Sequence, residues 1–460
     1  MLFTVRTNTH AACLCFVMLT TLALLSLHGC ASGPQDSMGT GPATTKSTTK
    51  APTRPIPETI TVELNSDVGP FAPRARGLLR PKAPTLPPDL LAALGVLAHG
   101  THDGPPPILV TLGDSVKFDG AFPGDKGIWT KWDQGVEALV RQQQSEGGPV
   151  VYEVWKEPDD NKTFKDRLNF FGAWVHTTRN IRRLAPDAVL MGPSTLKFDH
   201  GWISEFLKVC KEYSVLPNIV GWHEDGLKHD LSGHIGSLAD SFWQDGTNIK
   251  HLVISSNASI DNKQSPGDPV IFLAQMEKSF KDNSFRRIEQ EFGFKLTHLF
   301  TNDSKPRSLY YAYRDYARLA GAGRTVKVSA SQTVEGLAVW SGSSRKAEVL
   351  LGRNRSRVDA KQVLGLVTLQ IKGARGTTVQ VRLSHIADSG GQASTGPTPA
   401  FDQDYAIKNG EASIPLPEFA SGDAYSIELT IVGDPPSTRA ATAPATKTAP
   451  SSSNKTDSAK

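Results

Sequence analysis

The sequence is poor in cysteine, with four in 460 residues, and its charge is close to balanced, with 50 basic against 46 acidic side chains. No Lys/Arg block with interleaved aromatics stands out, so neither nucleic acid nor a strongly anionic partner is implied. Cys13 and Cys15 lie in an apolar N-terminal run and Cys30 ends it, which leaves Cys210 alone in the rest of the chain. A single thiol forms no intramolecular disulfide and no cysteine-based metal site, and is expected buried as a small hydrophobe. His99, His102, His229 and His234 are scattered without metal-ligand spacing. No metal is expected, and no cofactor motif is present. The Ser255-Ser256 pair lacks the G-x-S-x-G elbow of a serine hydrolase.

The first residues read as a targeting segment. Arg6 precedes the uncharged stretch Ala11 to Leu27, which ends at Leu27-His28-Gly29-Cys30. Charge, apolar core and a small residue at the cut are the order a secretory signal requires. The Leu-x-Gly-Cys ending resembles a bacterial lipobox, which implies cleavage before Cys30 and lipidation of its thiol. The expectation is an exported protein held to the membrane of a bacterial envelope, facing the periplasm or the surface. A plain signal peptide or a single membrane anchor is the alternative, although so short a run is marginal for about 30 Å of hydrocarbon.

Five segments follow from composition and periodicity: 1–29 as signal, 30–57 as a Ser/Thr/Gly/Pro-rich tether, 58–322, 323–434, and 435–460 as a disordered tail. Between Thr59 and Gly321 short apolar runs alternate with amphipathic helical stretches. Ile108–Leu112, Val150–Trp155, Val189–Met191, Ile219–His223 and Leu252–Ser255 read as strands. Trp129–Gln144, Phe164–Leu184, Trp202–Tyr213 and Val270–Lys281 read as helices. That alternation predicts an α/β fold with a parallel sheet or barrel. After Gly321 short alternating strands predict an all-β module, a sandwich.

The segment that carries chemistry is Tyr152-Glu153-Val154-Trp155-Lys156-Glu157-Pro158-Asp159. A strand ends at Trp155 and a glutamate stands just beyond it, fixed by proline. Residues at the C-terminal ends of barrel strands line active sites, and a carboxyl there can protonate a leaving oxygen and later activate water. The segment resembles the "E-x-W-N-E-P" signature of glycoside hydrolase family 39, a clan A family, at its fourth barrel strand. Leu190–Pro193, Ile219–His223, Lys305–Tyr313 and Val334–Gly352 are similar to later segments of that family in the same order. The resemblance covers most of 59–432.

It implies a (β/α)8 TIM-type barrel over 58–322, a C-terminal β-sandwich over 323–434, and action on O-glycosidic bonds of an envelope or extracellular polysaccharide. Glu157 matches the general acid/base, and Trp155, Lys156, Trp222 and His223 match positions around the sugar. Three departures accompany it. Lys156 replaces the asparagine that grips the sugar 2-hydroxyl, and an ammonium accepts no hydrogen bond. It also favours the ionised form of a neighbouring carboxyl, which works against an acid. Serine, at Ser255 or Ser256, stands where the nucleophilic glutamate of strand seven is expected. The stretch between about Gly77–Leu79 and Ile108 is too short for a full helix, strand and helix, so a shortened barrel is expected near its first two strands.

A retaining glycosidase needs two carboxyls about 5–5.5 Å apart and an inverting one about 6.5–9.5 Å. Glu224, Asp225 and Asp261 are the candidates for a second. Without one, the alternative is a catalytically silent carbohydrate-binding or scaffold lipoprotein. Trp129, Trp132, Trp202 and Trp243 fit core packing better than sugar stacking.

Overall fold

The computed structural model describes residues 55–71, 77–79, 108–160, 162–224, 230–256, 265–282, 287–292, 299–354 and 364–434. The targeting run with Cys30, the tether up to residue 54, the 435–460 tail, and His99, His102, Asp225, His229 and Asp261 lie outside them. Among the described residues no helix is long and apolar enough to cross a membrane.

The described residues open with β1 (Ile56–Glu63), which begins two residues inside the stretch expected as tether, and a two-residue strand, β2 (Gly69–Pro70). The barrel follows: β3 (Gly77–Leu79), β4 (Ile108–Thr111), α1 (Thr130–Glu146), β5 (Val150–Glu153), α2 (Arg167–Leu184), β6 (Val189–Met191) and α3 (His200–Glu212). It continues with β7 (Val220–Glu224), α4 (Leu231–Gln244), β8 (His251–Ser256), α5 (Gly267–Asp282) and β9 (Arg287–Phe292).

Helix ends are set by local chemistry. Asp166 and Asp199 cap α2 and α3 by accepting from Leu168 N and Trp202 N, at 2.8 and 3.0 Å. Gly147, at φ +73°, ends α1. On α1, Trp132, Val136 and Val140 recur at helical spacing and are buried. Cys210 is buried on α3, where burial pushes its thiol upward.

All strand pairs in the barrel sheet are parallel, and the order is β6-β5-β4-β3-β9-β8-β7. The two ends of that order meet through single bridges, Met191 with Ile219 and Thr195 with Trp222. The ring is therefore nearly closed. Side chains alternate between its two faces. Leu109, Val151, Met191, Ile219 and Val253 pack inside the ring. Val110, Tyr152, Leu190, Val220, Trp222, Leu252 and Ile254 pack outward against the helices.

The ring differs from the expected eight strands. Seven are present among the described residues, and Leu79 pairs directly with Ile108, so no strand intervenes between β3 and β4. The shortfall falls between Gly77–Leu79 and Ile108, the stretch at which the sequence leads one to expect a shortened barrel.

The remaining elements are α6 (Ser308–Arg318), β10 (Arg324–Ser329), β11 (Val334–Ser341), β12 (Lys346–Arg353), β13 (Leu364–Lys372), β14 (Thr378–Ile386), β15 (Thr398–Ala406), β16 (Glu411–Pro415) and β17 (Ala424–Val432). The eight strands among them join β1 and β2 in one continuous ten-stranded sheet in the order β15-β14-β17-β12-β11-β10-β1-β13-β16, with β2 on β10. This corrects the expectation of a module built from the C-terminal residues alone. β1 lies between β10 and β13, pairing antiparallel with one and parallel with the other. Its alternation buries Ile60 and Val62 with Leu369, Val381 and Ile427 in one core.

Glu58 locks β1 there. It accepts from Thr333 N at 2.8 Å, Thr333 Oγ1 at 2.6 Å, Ser331 Oγ at 2.7 Å and the buried Arg353 guanidinium at 2.6 Å. α5 then joins barrel to sheet: Val270, Leu273 and Ala274 share a cluster with Tyr313, Tyr316, Leu337 and Leu350. Gly267 passes so close to Arg353 and Asp423 that a Cβ would meet their carbonyl oxygens at 2.6 and 2.5 Å.

Candidate active site

Glu157 follows the C-terminal end of β5 in a left-handed backbone conformation, φ +53°. A non-glycine residue holds that conformation only where its surroundings impose it. Here the Glu157 N–H donates to Ser194 O at 2.9 Å, and Glu157 O accepts from Asp160 N at 3.2 Å. Asp159 Oδ1 accepts from Leu196 N at 2.6 Å, so the turn after β5 is tied to the turn after β6. Burial of Asp159 raises its carboxyl above the usual range, against the lowering effect of that backbone donor.

The β6 turn is itself built to reach β7. It contains a cis Gly192–Pro193 bond and a left-handed Ser194. Gly192 N donates to Ile219 O, Ser194 N to Gly221 O, and His223 N to Thr195 O, at 3.1, 2.9 and 2.8 Å. No side chain fits at Gly192, because a Cβ would meet Trp174 at 2.5 Å.

These turns bring two sequence candidates to Glu157. Lys156 Nζ lies 3.5 Å and His223 Nδ1 3.6 Å from Glu157 Oε1. Glu157 is 23% exposed and His223 only 5%, so the carboxylate has solvent on one side and a buried imidazole on the other. Both contacts are longer than a hydrogen bond. Ser255 pairs in register with His223 on the adjacent strand and is buried. Ser256 pairs with Glu224.

The other candidates are placed differently. Glu224 is buried and accepts from Trp222 Nε1 at 2.9 Å, with His234 Nδ1 at 2.8 Å. Trp222 belongs to the layer between ring and helices, with Phe198 against it and Phe198 stacked on His234. Along β7, residues 222 and 224 alternate with 223, so Glu224 and Trp222 are on the face opposite His223 and do not face Glu157. Trp155 packs among Phe118, Trp132 and Phe164, with ring centroids 4.9–6.0 Å away. Trp132 and Trp202 join the helical packing and Trp129 stacks on His176, whereas Trp243 is 85% exposed, against the expectation of core packing.

One acidic group was not singled out in the sequence. Glu153, the first carboxylate of the strand-four motif, is fully buried and accepts from Thr111 Oγ1 at 2.5 Å. It stands two residues after Val151, which packs inside the ring, so strand alternation sets it on the inner face. Ser194 and Thr195 are also buried beside this end of the ring. Among the described residues no group of three His, Cys, Asp or Glu side chains is arranged to hold a metal ion. A hollow of about 830 Å3 lies elsewhere, lined by α1, α2 and α3 residues including Asp133, His176 and Glu212, and includes none of the strand-end residues.

Compared by sequence, the chain matches no family model and no curated protein. Compared by structure, it is similar to several solved proteins. N2152 from Neocallimastix frontalis superposes with a TM-score of 0.63 at 20% identity, covering 82% of this chain and all of that one. A GH39 enzyme from Xanthomonas axonopodis pv. citri gives 0.52 at 16% identity, covering 81% and 97%. A monomeric beta-xylosidase from Caulobacter crescentus gives 0.51 at 13%, covering 82% and 100%. At these identities the likeness establishes the fold: a glycoside-hydrolase-like α/β architecture.

Proposed function

We propose that this chain hydrolyses O-glycosidic bonds of an envelope or extracellular polysaccharide, with Glu157 as general acid/base at the mouth of the barrel. The observation that carries the reading is the placement of Glu157. It is held on a left-handed turn at a strand end, partly exposed, and only loosely approached by Lys156 and His223. A carboxyl without short hydrogen bonds is free to give and take a proton, and the barrel end is where this fold binds ligand. His223 and Lys156 then flank the sugar and orient the carboxyl. Glu157→Gln, assayed on aryl glycosides and soluble polysaccharides, is expected to remove turnover without lowering the unfolding temperature. Unchanged turnover would refute the assignment.

A second reading has its own support. Serine, at Ser255 or Ser256, stands where the resemblance implies a nucleophile, which favours a carbohydrate-binding lipoprotein without catalysis. Glycan binding by the wild type, unaffected by Glu157→Gln and without turnover on any substrate, would select it.

The proposal includes export and lipid attachment through Cys30, supported by the order of charge, apolar run and Leu-x-Gly-Cys at the N-terminus. Cys30→Ser is expected to move the protein from the membrane to the soluble fraction. Continued membrane retention would exclude the lipid anchor.

A further inference from the structure

We infer that the hollow on the outer wall of the barrel is a second carbohydrate site, a groove that holds a chain of neutral sugars apart from Glu157. Its volume of about 830 Å3 falls within the range of about 300–1,000 Å3 usual for ligand sites. The inference goes beyond the hydrolase reading and stands with or without turnover at Glu157.

The floor of the groove is one face of α2. Leu168, Gly172, Val175, Arg179 and Arg183 line it at spacings of three and four, so a single helical stripe runs through it. At 1.5 Å per residue that stripe is about 22 Å long. α2 packs against both α1 and α3. Asp133, Gln134 and Glu137 of α1 form one bank, and Val209 and Glu212 of α3 form the other, with Tyr213 just beyond. Depth comes from Gly172, which is exposed and where a Cβ would meet nothing within 4 Å. α2 returns from the C-terminal end of β5 to the start of β6. The Leu168 end of the groove is therefore at the level of the barrel mouth, and the Arg183 end at the opposite level.

The polar groups along the floor hold one another in place. Asp133 Oδ1 pairs with His176 Nε2 at 2.8 Å and accepts from Asn180 Nδ2 at 3.2 Å. Asn180 Oδ1 accepts from Arg183 Nη2 at 2.9 Å. The His176 ring stacks on Trp129 with centroids 3.7 Å apart. On the α1 bank, Glu137 Oε1 accepts twice from Arg141, at 3.0 and 2.7 Å. These bonds fix the side chains without exhausting them. Asp133 Oδ2, Glu137 Oε2 and the side chains of Gln134 and Glu212 make no hydrogen bond among the described residues.

The ligand that fits offers donors and acceptors together. A hydroxyl does both, so a row of hydroxyls satisfies carboxylates, amides and guanidinium groups alike. Tyr213 is 45% exposed and adds an aromatic ring at the far end, on which a sugar ring can stack. Charge selects a neutral chain. Asp133, Glu137 and Glu212 offset Arg179 and Arg183, and three carboxylates disfavour phosphates and uronates. A docked helix needs a mostly apolar groove, and a docked strand needs a sheet edge. Here eight of the fourteen residues along the groove carry polar or charged side chains, and its walls are helices.

The test uses the mature protein, as wild type and as Glu157→Gln. Probes are cellohexaose, xylohexaose, maltohexaose and xyloglucan, with polygalacturonate as the anionic comparison. Affinity is measured by calorimetry, and the ring signals of His176 are followed by NMR and assigned with His176→Gln. Two variants close the groove. Gly172→Leu sends a side chain into open space from a right-handed helix, with an unfolding temperature expected unchanged or higher. A double variant, Gln134→Ala with Glu212→Ala, removes two exposed groups that hold nothing else. A neutral probe is expected to move the His176 signals in wild type and in Glu157→Gln alike. Both groove variants are expected to abolish that shift and weaken affinity at least 10-fold. Unmoved His176 signals with every probe overturn the assignment, as does unchanged affinity in both variants or a preference for polygalacturonate. A monomer–dimer change on Gly172→Leu, seen by sedimentation, gives the groove to a second copy of the chain and overturns it too. If Gly172→Leu does not fold, the double variant decides. A His176 response without turnover on any substrate removes the hydrolase reading alone, and turnover with His176 unmoved removes this inference alone.

Discussion

Two carboxylates, Glu58 in the sheet and Glu157 at the barrel mouth, show opposite solutions to holding a negative charge. Glu58 is buried and receives four donors at 2.6–2.8 Å, among them the Arg353 guanidinium. Burial alone would raise its carboxyl. The donors from Thr333 and Ser331, with Arg353, outweigh that and hold it below the usual range. Glu157 keeps solvent on one side and has no neighbour closer than 3.5 Å among its ion-pair contacts. Saturated hydrogen bonding fixes a charge and serves architecture. Loose contacts beside a left-handed backbone leave a carboxyl available for proton transfer, which is why the proposed chemistry is assigned to Glu157 and not to Glu58.

The sharpest way to break the comparison is to remove each carboxylate. Glu157→Gln is expected to lower kcat by about 10²–10⁴-fold, the range of general acid–base catalysis, with little change in denaturant midpoint. A variant that unfolds early while retaining activity would make Glu157 a structural residue like Glu58.

Arg353→Met should do the reverse, costing about 3–5 kcal/mol in urea titration because Glu58 is left buried without its cation. A loss below about 1 kcal/mol would show that the other three donors suffice. The pH dependence follows in sign. Since the folded-state carboxyl is depressed, its contribution is present above the unfolded value and is lost as pH falls through the folded value. Wild type should thus lose stability faster than Glu58→Gln on acidification below the ordinary glutamate range. Parallel curves for the two would contradict the depressed carboxyl.

Glu224→Ala probes an intermediate case, a buried acid with two partners. Removing it leaves the buried Trp222 N–H without its acceptor and takes a partner from His234, with an expected cost of about 1–3 kcal/mol by thermal or chemical unfolding. No loss would mean that water replaces the carboxylate and that this face of β7 is open.

The smallest effect is expected at Asp159. Its carboxyl is raised by burial, so its contribution is present below the unfolded value and lost as pH rises through the folded one. Asp159→Asn retains an acceptor for Leu196 N and is expected to be slightly more stable at neutral pH. A clear loss there would show that the ionised form holds the turn that carries Glu157.

Much of this was legible in the chain. The runs ILVT, VVYE and HLVISS read as buried strands because apolar, β-branched residues with turn signals at each end have few other solutions. The α1 face of Trp132, Val136 and Val140 was equally plain. Less legible were β15 and β16. β15 (TPAFDQDYA) is largely exposed at the edge of its sheet, where polar residues cost little and apolar alternation is not required. β1 carried a readable alternation, but nothing local announces that its partners lie more than 250 residues away.

For the site, the sequence by itself determined that a glutamate flanked by lysine and proline follows a strand, and that the later apolar run from Leu252 ends in two serines, Ser255 and Ser256. The fold decided the rest. Which acids share a face depends on strand parity and on register between strands distant in sequence, and one residue of shift exchanges inside for outside. Glu224 and His223 are neighbours in the chain yet stand on opposite faces of β7, while Ser255 and Glu291, 36 residues apart by their numbers, share a rung. Hydrogen bonding between strands sets that rung, and no local pattern encodes it.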